Sequence, residues 1–203
     1  MHLINQRALG ILILILLGIL VVIKRWATGS ILEIPKGSIL LWLVNIFNLL
    51  FLLIINPLAA ILLIMEKMET ADPSFLVINS GLILVLVEIG GLIIYLSGFF
   101  LMAWALIRLG INYQLGGVDP RSSDKMVMNG PYKFIRHPMY TAALCIALGL
   151  AFLIQSKACF VAFCIYLVLV ILLIPKEEES MIRAYGEPYK QYQQKVKKLV
   201  PFY

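Results

Sequence analysis

Long apolar runs with few charges recur along this chain and are separated by short polar stretches. Most of them approach or exceed the ~20 residues that an α-helix needs to cross a hydrocarbon core of roughly 30 Å. A helix bonds its own backbone groups, so it is the structure that single apolar segments adopt in lipid. The pattern predicts five membrane-spanning helices, over residues 9–23, 39–65, 75–107, 139–154 and 158–174.

The connections and small residues add detail to this prediction. Only residues 155–157 join the last two runs, so their helices must be antiparallel neighbours. The third run would form a helix roughly 50 Å long, which we expect to tilt or to project from the membrane. Its Gly90, Gly91, Ser97 and Gly98 would let another helix or a ligand approach its backbone.

The composition excludes an ordinary soluble domain. Of the 203 residues, 62% are hydrophobic and only 14% are charged, which is more apolar surface than a soluble fold buries. We find no internal repeat and no linker that would separate two units. The chain is therefore predicted to be an all-α, polytopic membrane protein with a single domain over residues 1–203.

The basic residues predict an orientation. With five spans, all of the 17 Lys and Arg residues except Arg7, Lys67 and Lys157 fall on one side, and the side rich in Lys and Arg is usually cytoplasmic. The C-terminus is therefore expected in the cytoplasm. The same asymmetry, together with anionic lipid headgroups, accounts for the net charge of +6, so nucleic-acid binding is not expected.

Two polar segments, residues 108–140 and 175–203, are long enough to build a site, and both are expected on the cytoplasmic face. The second predicts a helix from Pro175 to Tyr185 that ends before Gly186, followed by a short surface helix that begins near Pro188. These segments are therefore predicted to form a functional site on that face.

Glu88 is a carboxyl group inside the third predicted span. A buried carboxyl group in a membrane needs a polar partner, and the predicted depths favour Asn45 or Asn48. The favoured interpretation is a packing contact between Glu88 and one of these amides. The alternative is that Glu88 faces a substrate cavity.

Candidate chemistry begins at Arg136, His137 and Pro138. Pro138 suits the first turn of the fourth span, so the two cationic or polar side chains would stand beside a helix N-terminus, where an anion is favoured. A ligand carboxylate would fit there. The alternative is structural: Arg136 would extend to lipid headgroups and His137 would cap the helix.

Three consecutive carboxylates, Glu177 to Glu179, follow directly on the last span. Beside a basic surface and anionic lipid they indicate a bound cation, although a solvated helix start stabilised by its dipole is the alternative. Cys145, Cys159 and Cys164 all fall in predicted spans, a pattern that supports neither a disulfide framework nor a metal site.

In type and spacing, these segments resemble the isoprenylcysteine carboxyl methyltransferases and their relatives among the phospholipid N-methyltransferases. The matching stretches cover about the last 80 residues of the chain. They are Met126-Val127-x-x-Gly130-x-Tyr132, Arg136-His137-Pro138-Met139-Tyr140, the pair Glu177-Glu178, and Tyr185-Gly186-x-x-Tyr189-x-x-Tyr192. The compact loops further suggest a prokaryotic member.

The resemblance implies that the C-terminal segments enclose S-adenosylmethionine without a Rossmann sheet. The expected cofactor contacts are Met126, Val127, Tyr132, His137, Pro138, Met139, Tyr140 and Glu177. Among them, Glu177 would neutralise the methionine ammonium group, and Met126 and Val127 would pack on adenine. Arg136 would be the catalytic residue that orients the acceptor carboxylate, and the acceptor would be a lipid-modified, isoprenylated cysteine that enters from the membrane.

Two departures from the family pattern bear on the acceptor. Carboxyl methyltransferases of this family carry an Arg four residues before the first matched Glu, where this chain has Leu173, and a His three residues before Val127, where it has Asp124. Lys176 lies near the first position, but a point charge replaces a planar guanidinium poorly.

Three alternatives stay open. A phospholipid amine could be the acceptor, and Glu178 would then serve as a general base. A sterol-type reductase that uses NADPH shares the C-terminal resemblance but should gather cations around the extra phosphate. A membrane scaffold or carrier without enzymatic activity would bind no cofactor.

Overall fold

The computed structural model describes residues 4–30, 38–113, 120–121 and 123–200, and throughout these ranges the regular secondary structure is helical. The helices described are α1 (Gln6–Thr28), α2 (Ile39–Leu50), α3 (Asn56–Ile64), α4 (Met68–Ala71), α5 (Gly81–Leu109), α6 (Pro138–Leu153), α7 (Lys157–Tyr185) and α8 (Glu187–Lys195). A π-helical turn (Phe51–Ile55) and two 3₁₀ turns (Gly110–Asn112 and Gly130–Lys133) complete these elements.

The predicted all-helical membrane fold is confirmed. Four helical stretches are long and apolar enough to cross a membrane: Gln6–Thr28, Ile39–Ile64, Gly81–Asn112 and Lys157–Tyr185. The fourth predicted span, residues 139–154, forms α6, which has 16 residues and is about 24 Å long. It runs antiparallel to α7 as predicted, and residues 154–156 form the turn between them.

The second span is one continuous helix that widens at its centre. Pro57 has no N–H group, so the regular hydrogen bonding is interrupted before it, and the π-helical turn Phe51–Ile55 forms there. The Asn56 side chain compensates: its Nδ2 donates to the Phe51 carbonyl (2.8 Å), and its Oδ1 accepts from the Tyr95 hydroxyl (2.8 Å). Asn56 thereby ties this span to α5.

The helix α7 corrects one prediction. We expected a span to end at residue 174 and a second helix to begin at Pro175, whereas α7 continues without interruption from Lys157 to Tyr185 with Pro175 inside it. Proline removes one backbone hydrogen bond, but the flanking turns stay helical. The acidic residues from Glu177 onward therefore extend rigidly from the membrane-spanning part of the helix.

The tightest helix pair is α5 with α6, and it is made possible by glycines on both helices. A methyl group at Gly149 would lie 2.6 Å from the Tyr95 backbone nitrogen, and one at Gly98 would lie 2.8 Å from the Ala142 carbonyl oxygen. Gly91 is similarly enclosed, whereas Gly90 faces open space. The prediction of close approach thus holds for Gly91 and Gly98 but not for Gly90.

Glu88 lies at the end of the bundle opposite to His137. Its Oε1 accepts a hydrogen bond from Gln155 Nε2 (3.1 Å), and its Oε2 accepts one from the Ile4 backbone N–H (3.0 Å). The expected pairing with Asn45 or Asn48 is therefore wrong. The reason is that α5 begins at Gly81 rather than at residue 75, so Glu88 is only about 10 Å from the start of its helix.

Candidate functional site

A cavity of about 300 Å³ opens at the end of the bundle that carries Arg108, His137 and Glu177, which we call the polar end. Its volume is at the lower limit of ordinary ligand pockets. The cavity brings together every site residue expected from the sequence: Met126, Val127, Tyr132, Arg136, His137, Pro138, Met139, Tyr140 and Glu177 all line it.

Three structural elements converge to form the wall at the polar end. The first turn of α6 carries Pro138 and Tyr140, the end of α7 carries Glu177, and α8 closes the side with Tyr192. The Tyr192 hydroxyl donates to the Tyr132 carbonyl oxygen (2.5 Å). This bond fixes α8 against the 3₁₀ turn that precedes α6.

The buried centre of the polar end is a cluster in which His137 joins the ion pair of Arg136 and Glu178. Arg136 Nε donates to Glu178 Oε1 (2.8 Å), Arg136 Nη2 lies 2.7 Å from the same oxygen, and His137 Nε2 lies 3.2 Å from it. The side chains of Arg136 and Glu178 are only 6% and 8% exposed. The carboxylate that stands beside Arg136 and His137 is therefore Glu178 of the chain itself.

The C-terminal segment after α8 packs over this cluster through its backbone. Arg136 Nη1 donates to the carbonyls of Gln193 (3.0 Å) and Val196. The Arg136 backbone N–H donates to the Lys197 carbonyl (2.8 Å), and the His137 N–H donates to that of Lys198 (3.0 Å). Charge-assisted and backbone bonds together hold the segment against the start of α6.

Glu177 differs from Glu178 in that its charge faces the cavity. Its Oε2 is buried and has no hydrogen-bond partner among the described residues, and His137 Nδ1 lies 3.9 Å from it. A buried carboxylate oxygen without a hydrogen bond is costly. A ligand with an ammonium or sulfonium group would satisfy it, so these residues fit S-adenosylmethionine.

Three phenol groups at the polar end keep their protons at neutral pH. Burial, with the nearby charge of Glu177, raises the pKa of Tyr132, and burial, with the carboxylates of Glu178 and Glu177, raises that of Tyr189. Burial raises the pKa of Tyr192 to about 12 although Arg136 opposes the shift. These side chains therefore act as hydrogen-bond donors and not as bases.

Comparison with known proteins identifies the family. A family model described as phospholipid methyltransferase matches residues 86–188, just over half of the chain, and the match includes all nine predicted site residues. This chain belongs to the phospholipid methyltransferase family.

Two similar proteins extend the comparison of this family member. Protein-S-isoprenylcysteine O-methyltransferase of Xenopus laevis is 31% identical over 114 residues, which are 55% of the chain and 40% of that protein. The match thus spans less than half of the relative's length. The solved structure of the eukaryotic intramembrane Ras methyltransferase, an isoprenylcysteine carboxyl methyltransferase, matches with a TM-score of 0.50 at 19% identity. It covers 92% of the chain and 74% of that structure, which shows a shared fold.

The sequence prediction missed several lining residues of this phospholipid methyltransferase family member. Asp124 and Tyr113 line the polar end, and Lys24 of α1 reaches the Tyr113 ring, with Nζ 5.2 Å from its centroid. Asp124 could have been found, because it takes the position of a His in the family pattern. Lys24 could not, because only helix packing brings α1 to this site.

Leu173 occupies the position of the Arg in the carboxyl methyltransferase pattern, and it lies away from the cavity wall. Its side chain is buried in the contact between α2 and α7, in a cluster with Leu41, Val44 and Val170. A charged side chain at this position would have to leave that cluster. In this chain, another residue would have to make any contact that the Arg makes in the carboxyl methyltransferases.

Proposed function

We propose that this protein is an S-adenosylmethionine-dependent methyltransferase acting on a lipophilic acceptor, and that the accepting group is the C-terminal carboxylate of an isoprenylated cysteine. The observation that carries the proposal is the buried Glu177 oxygen without a partner among the described residues, in the cavity that the nine predicted residues line. The family match and the name of the Xenopus laevis relative support methyl transfer.

When bound, S-adenosylmethionine supplies a methyl carbon on a sulfonium sulfur, which an acceptor carboxylate oxygen attacks as the carbon–sulfur bond breaks, without transfer of a proton. Glu177 neutralises the ammonium group, while His137 and Tyr140 bond polar groups beside it. Met126 and Val127 pack on the adenine. The remaining predicted contacts, Tyr132, Pro138 and Met139, complete the wall of the cavity and exclude water from it.

Arg136 is proposed to orient the acceptor carboxylate, but it does so from within a tight cluster. Its bonds to Glu178, Gln193 and Val196 account for four of its five N–H groups. An acceptor carboxylate would therefore share Arg136 with Glu178. This arrangement fixes the guanidinium before the acceptor binds, which reduces the entropy lost on binding.

A phospholipid amine is the second candidate acceptor. It is favoured by the description of the family model and by the burial of Leu173 among apolar side chains, which leaves the family's Arg without a counterpart at this position. An ammonium acceptor must lose a proton before it can attack a methyl group. A carboxylate at the polar end, such as Glu178, would have to accept it.

Cofactor binding is tested by calorimetry with S-adenosylhomocysteine on the full chain in lipid nanodiscs. Glu177→Gln should weaken binding at least tenfold, because a charge-assisted bond of about 1.5–3 kcal/mol is lost. Glu179→Gln is the matched control, since Glu179 is 72% exposed on the same helix and pairs with Arg183. Absence of binding heat with the unaltered chain would refute the proposed cofactor.

The acceptor is tested with a radiolabelled methyl donor and two lipophilic probes, a farnesylated cysteine analogue and phosphatidylethanolamine. A methyl ester releases labelled methanol in base, whereas a methylamine does not. Base-labile label on the cysteine analogue is the expected result. Stable label on the phospholipid would instead support the second candidate.

A further inference from the structure

The cavity continues beyond the polar end into the interior of the bundle. Its inner wall consists mainly of apolar side chains from α1, α2, the π-helical turn, α5 and α6: Leu20, Val21, Phe47, Phe51, Leu52, Met102, Leu106 and Ile146. Within this wall lie the polar side chains of Asn45 and Asn48 from α2 and Tyr166 from α7. The Tyr166 ring stacks on Phe47, with centroids 4.5 Å apart.

Two of these polar groups are buried and can each donate a hydrogen bond to an added oxygen. Asn45 is 3% exposed and Tyr166 is 1% exposed, and neither Asn45 Nδ2 nor the Tyr166 hydroxyl has a hydrogen bond of acceptable geometry among the described residues. Asn48 is within reach to donate to the Tyr166 oxygen, a contact that leaves the Tyr166 O–H free to donate elsewhere. Buried donors of this kind are normally satisfied, so both indicate an absent oxygen acceptor.

The missing acceptor should be uncharged. The cationic side chains that line the cavity, Lys24, Lys125 and Arg136, belong to its polar end, whereas Asn45 and Tyr166 offer only neutral donors. Along α7, Tyr166 lies eleven residues before Glu177, roughly 16 Å at 1.5 Å per residue. A carboxylate or phosphate at that depth would be desolvated without a countercharge, which is unfavourable. A carbonyl oxygen needs only hydrogen bonds.

We propose that Asn45 and Tyr166 form a second polar subsite that binds an uncharged carbonyl oxygen of the lipophilic acceptor, at the junction between its reactive end and its hydrocarbon. The proposal rests on the acceptor class proposed above but not on the methyl donor. Such an oxygen is present in the ester carbonyl of a diacyl phospholipid and in the amide carbonyl of an acylated isoprenylcysteine. The subsite would then select acceptors by the carbonyl group that lies next to the hydrocarbon, in addition to the selection made at the reactive end.

The test compares probes that differ only in this carbonyl group. The first pair is dioleoyl phosphatidylethanolamine and its diether analogue; the second is N-acetyl-S-farnesylcysteine and the same thioether acid without the acetamido group. Each is titrated against a fluorescent lipid on the full chain in nanodiscs. In at least one pair, the probe with the carbonyl should bind about tenfold more tightly, the effect of one or two hydrogen bonds.

Variants then assign this preference to the subsite. Tyr166→Phe and Asn45→Leu should each remove most of it, without lowering thermal stability and without changing the affinity for S-adenosylhomocysteine. Tyr95→Phe is the matched control: it removes a buried hydroxyl that bonds Asn56, so it should lower the melting temperature but keep the preference.

The outcomes separate the two proposals. Absence of any preference in the unaltered chain, or its survival in both variants, overturns the subsite. A loss of S-adenosylhomocysteine affinity in the variants also overturns it, because the inner donors would then serve the cofactor. A carbonyl preference without any binding of S-adenosylhomocysteine would leave the subsite supported and the methyltransferase proposal refuted.

Discussion

The contact between α5 and α6 positions the start of α6, and a single methyl group should disturb it. In Gly149→Ala the added carbon would lie 2.6 Å from the Tyr95 nitrogen, 2.7 Å from the Tyr95 Cα and 2.8 Å from the Gly91 carbonyl oxygen. All three obstacles are backbone atoms, so no side-chain rotation relieves the clash. In Gly90→Ala, on the facing helix, the same methyl group meets nothing within 4 Å.

The two substitutions are expected to change the free energy of unfolding in opposite directions. Both substitutions favour the helix by up to about 1 kcal/mol, because glycine is the poorer helix former. Van der Waals contacts between carbon atoms are optimal near 3.5–4.0 Å, so Gly149→Ala requires the helices to separate by about 1 Å. Overpacking of this kind costs about 1–3 kcal/mol, and the rigid backbone favours the upper value. We expect Gly149→Ala to destabilise by about 2 kcal/mol and Gly90→Ala to stabilise slightly.

Thermal unfolding in a mild detergent measures the difference. For a chain of this size each kcal/mol corresponds to about 2–4 °C, so the melting temperatures of the two variants should differ by about 6–12 °C. Gly98→Ala, which meets the Ala142 carbonyl oxygen at 2.8 Å, should in addition weaken S-adenosylhomocysteine binding, because Ala142 lies one turn after Pro138. Equal melting temperatures for Gly149→Ala and Gly90→Ala would refute the close packing of α5 on α6.

Three further predictions concern the polar end. Glu178→Gln should lower the free energy of unfolding by about 3 kcal/mol, because it leaves Arg136 buried without its countercharge. The exposed pair of Glu179 with Arg183 should contribute under 1 kcal/mol, so equal melting temperatures for Glu178→Gln and Glu179→Gln would contradict this prediction. Burial raises the pKa of Tyr192 from 10.0 to about 12. Its neutral side chain therefore stabilises the fold fully below pH 10, and this stabilisation is lost as the pH rises to about 12. In an alkaline titration, the free energy of unfolding of Tyr192→Phe should fall less steeply over that interval than that of the unaltered chain. A thiol introduced as Gln194→Cys should react with an impermeant maleimide only from the cytoplasmic face, and labelling from the other face would reverse the predicted orientation.

Local pattern was sufficient for the membrane fold, and the motifs that carry the family resemblance were sufficient for the nine predicted residues that line the cavity. Apolar runs identify spanning helices because lipid leaves the backbone no other structure. The motif from Arg136 to Tyr140 is contiguous, so its residues had to begin α6 together. The proximity of this motif to Glu177 also followed from the sequence. Only three residues join the last two spans, so these helices must be antiparallel, and the start of the fourth span then lies close to the end of the fifth.

The errors arose where a contact joins residues that are distant in sequence. The partners of Glu88 are the Gln155 side chain and the backbone of Ile4, and neither could be inferred from helix depth once the start of α5 was misplaced by six residues. The break expected at Pro175 did not occur, because a proline removes a single hydrogen bond that a long, packed helix can spare. Helix boundaries are decided by such packing as well as by local propensity.

The sequence by itself determined that the nine predicted residues would lie together at the polar end, because helix, hairpin and motif are short-range features. Only the tertiary structure decided how their charges are used. Glu178 is neutralised by Arg136 and lies within hydrogen-bond distance of His137, whereas Glu177, its neighbour on the same helix, faces the cavity. Consecutive residues of a helix point in directions about 100° apart, and the packing of α6 against α7 selects which one is buried in an ion pair and which one is open to a ligand.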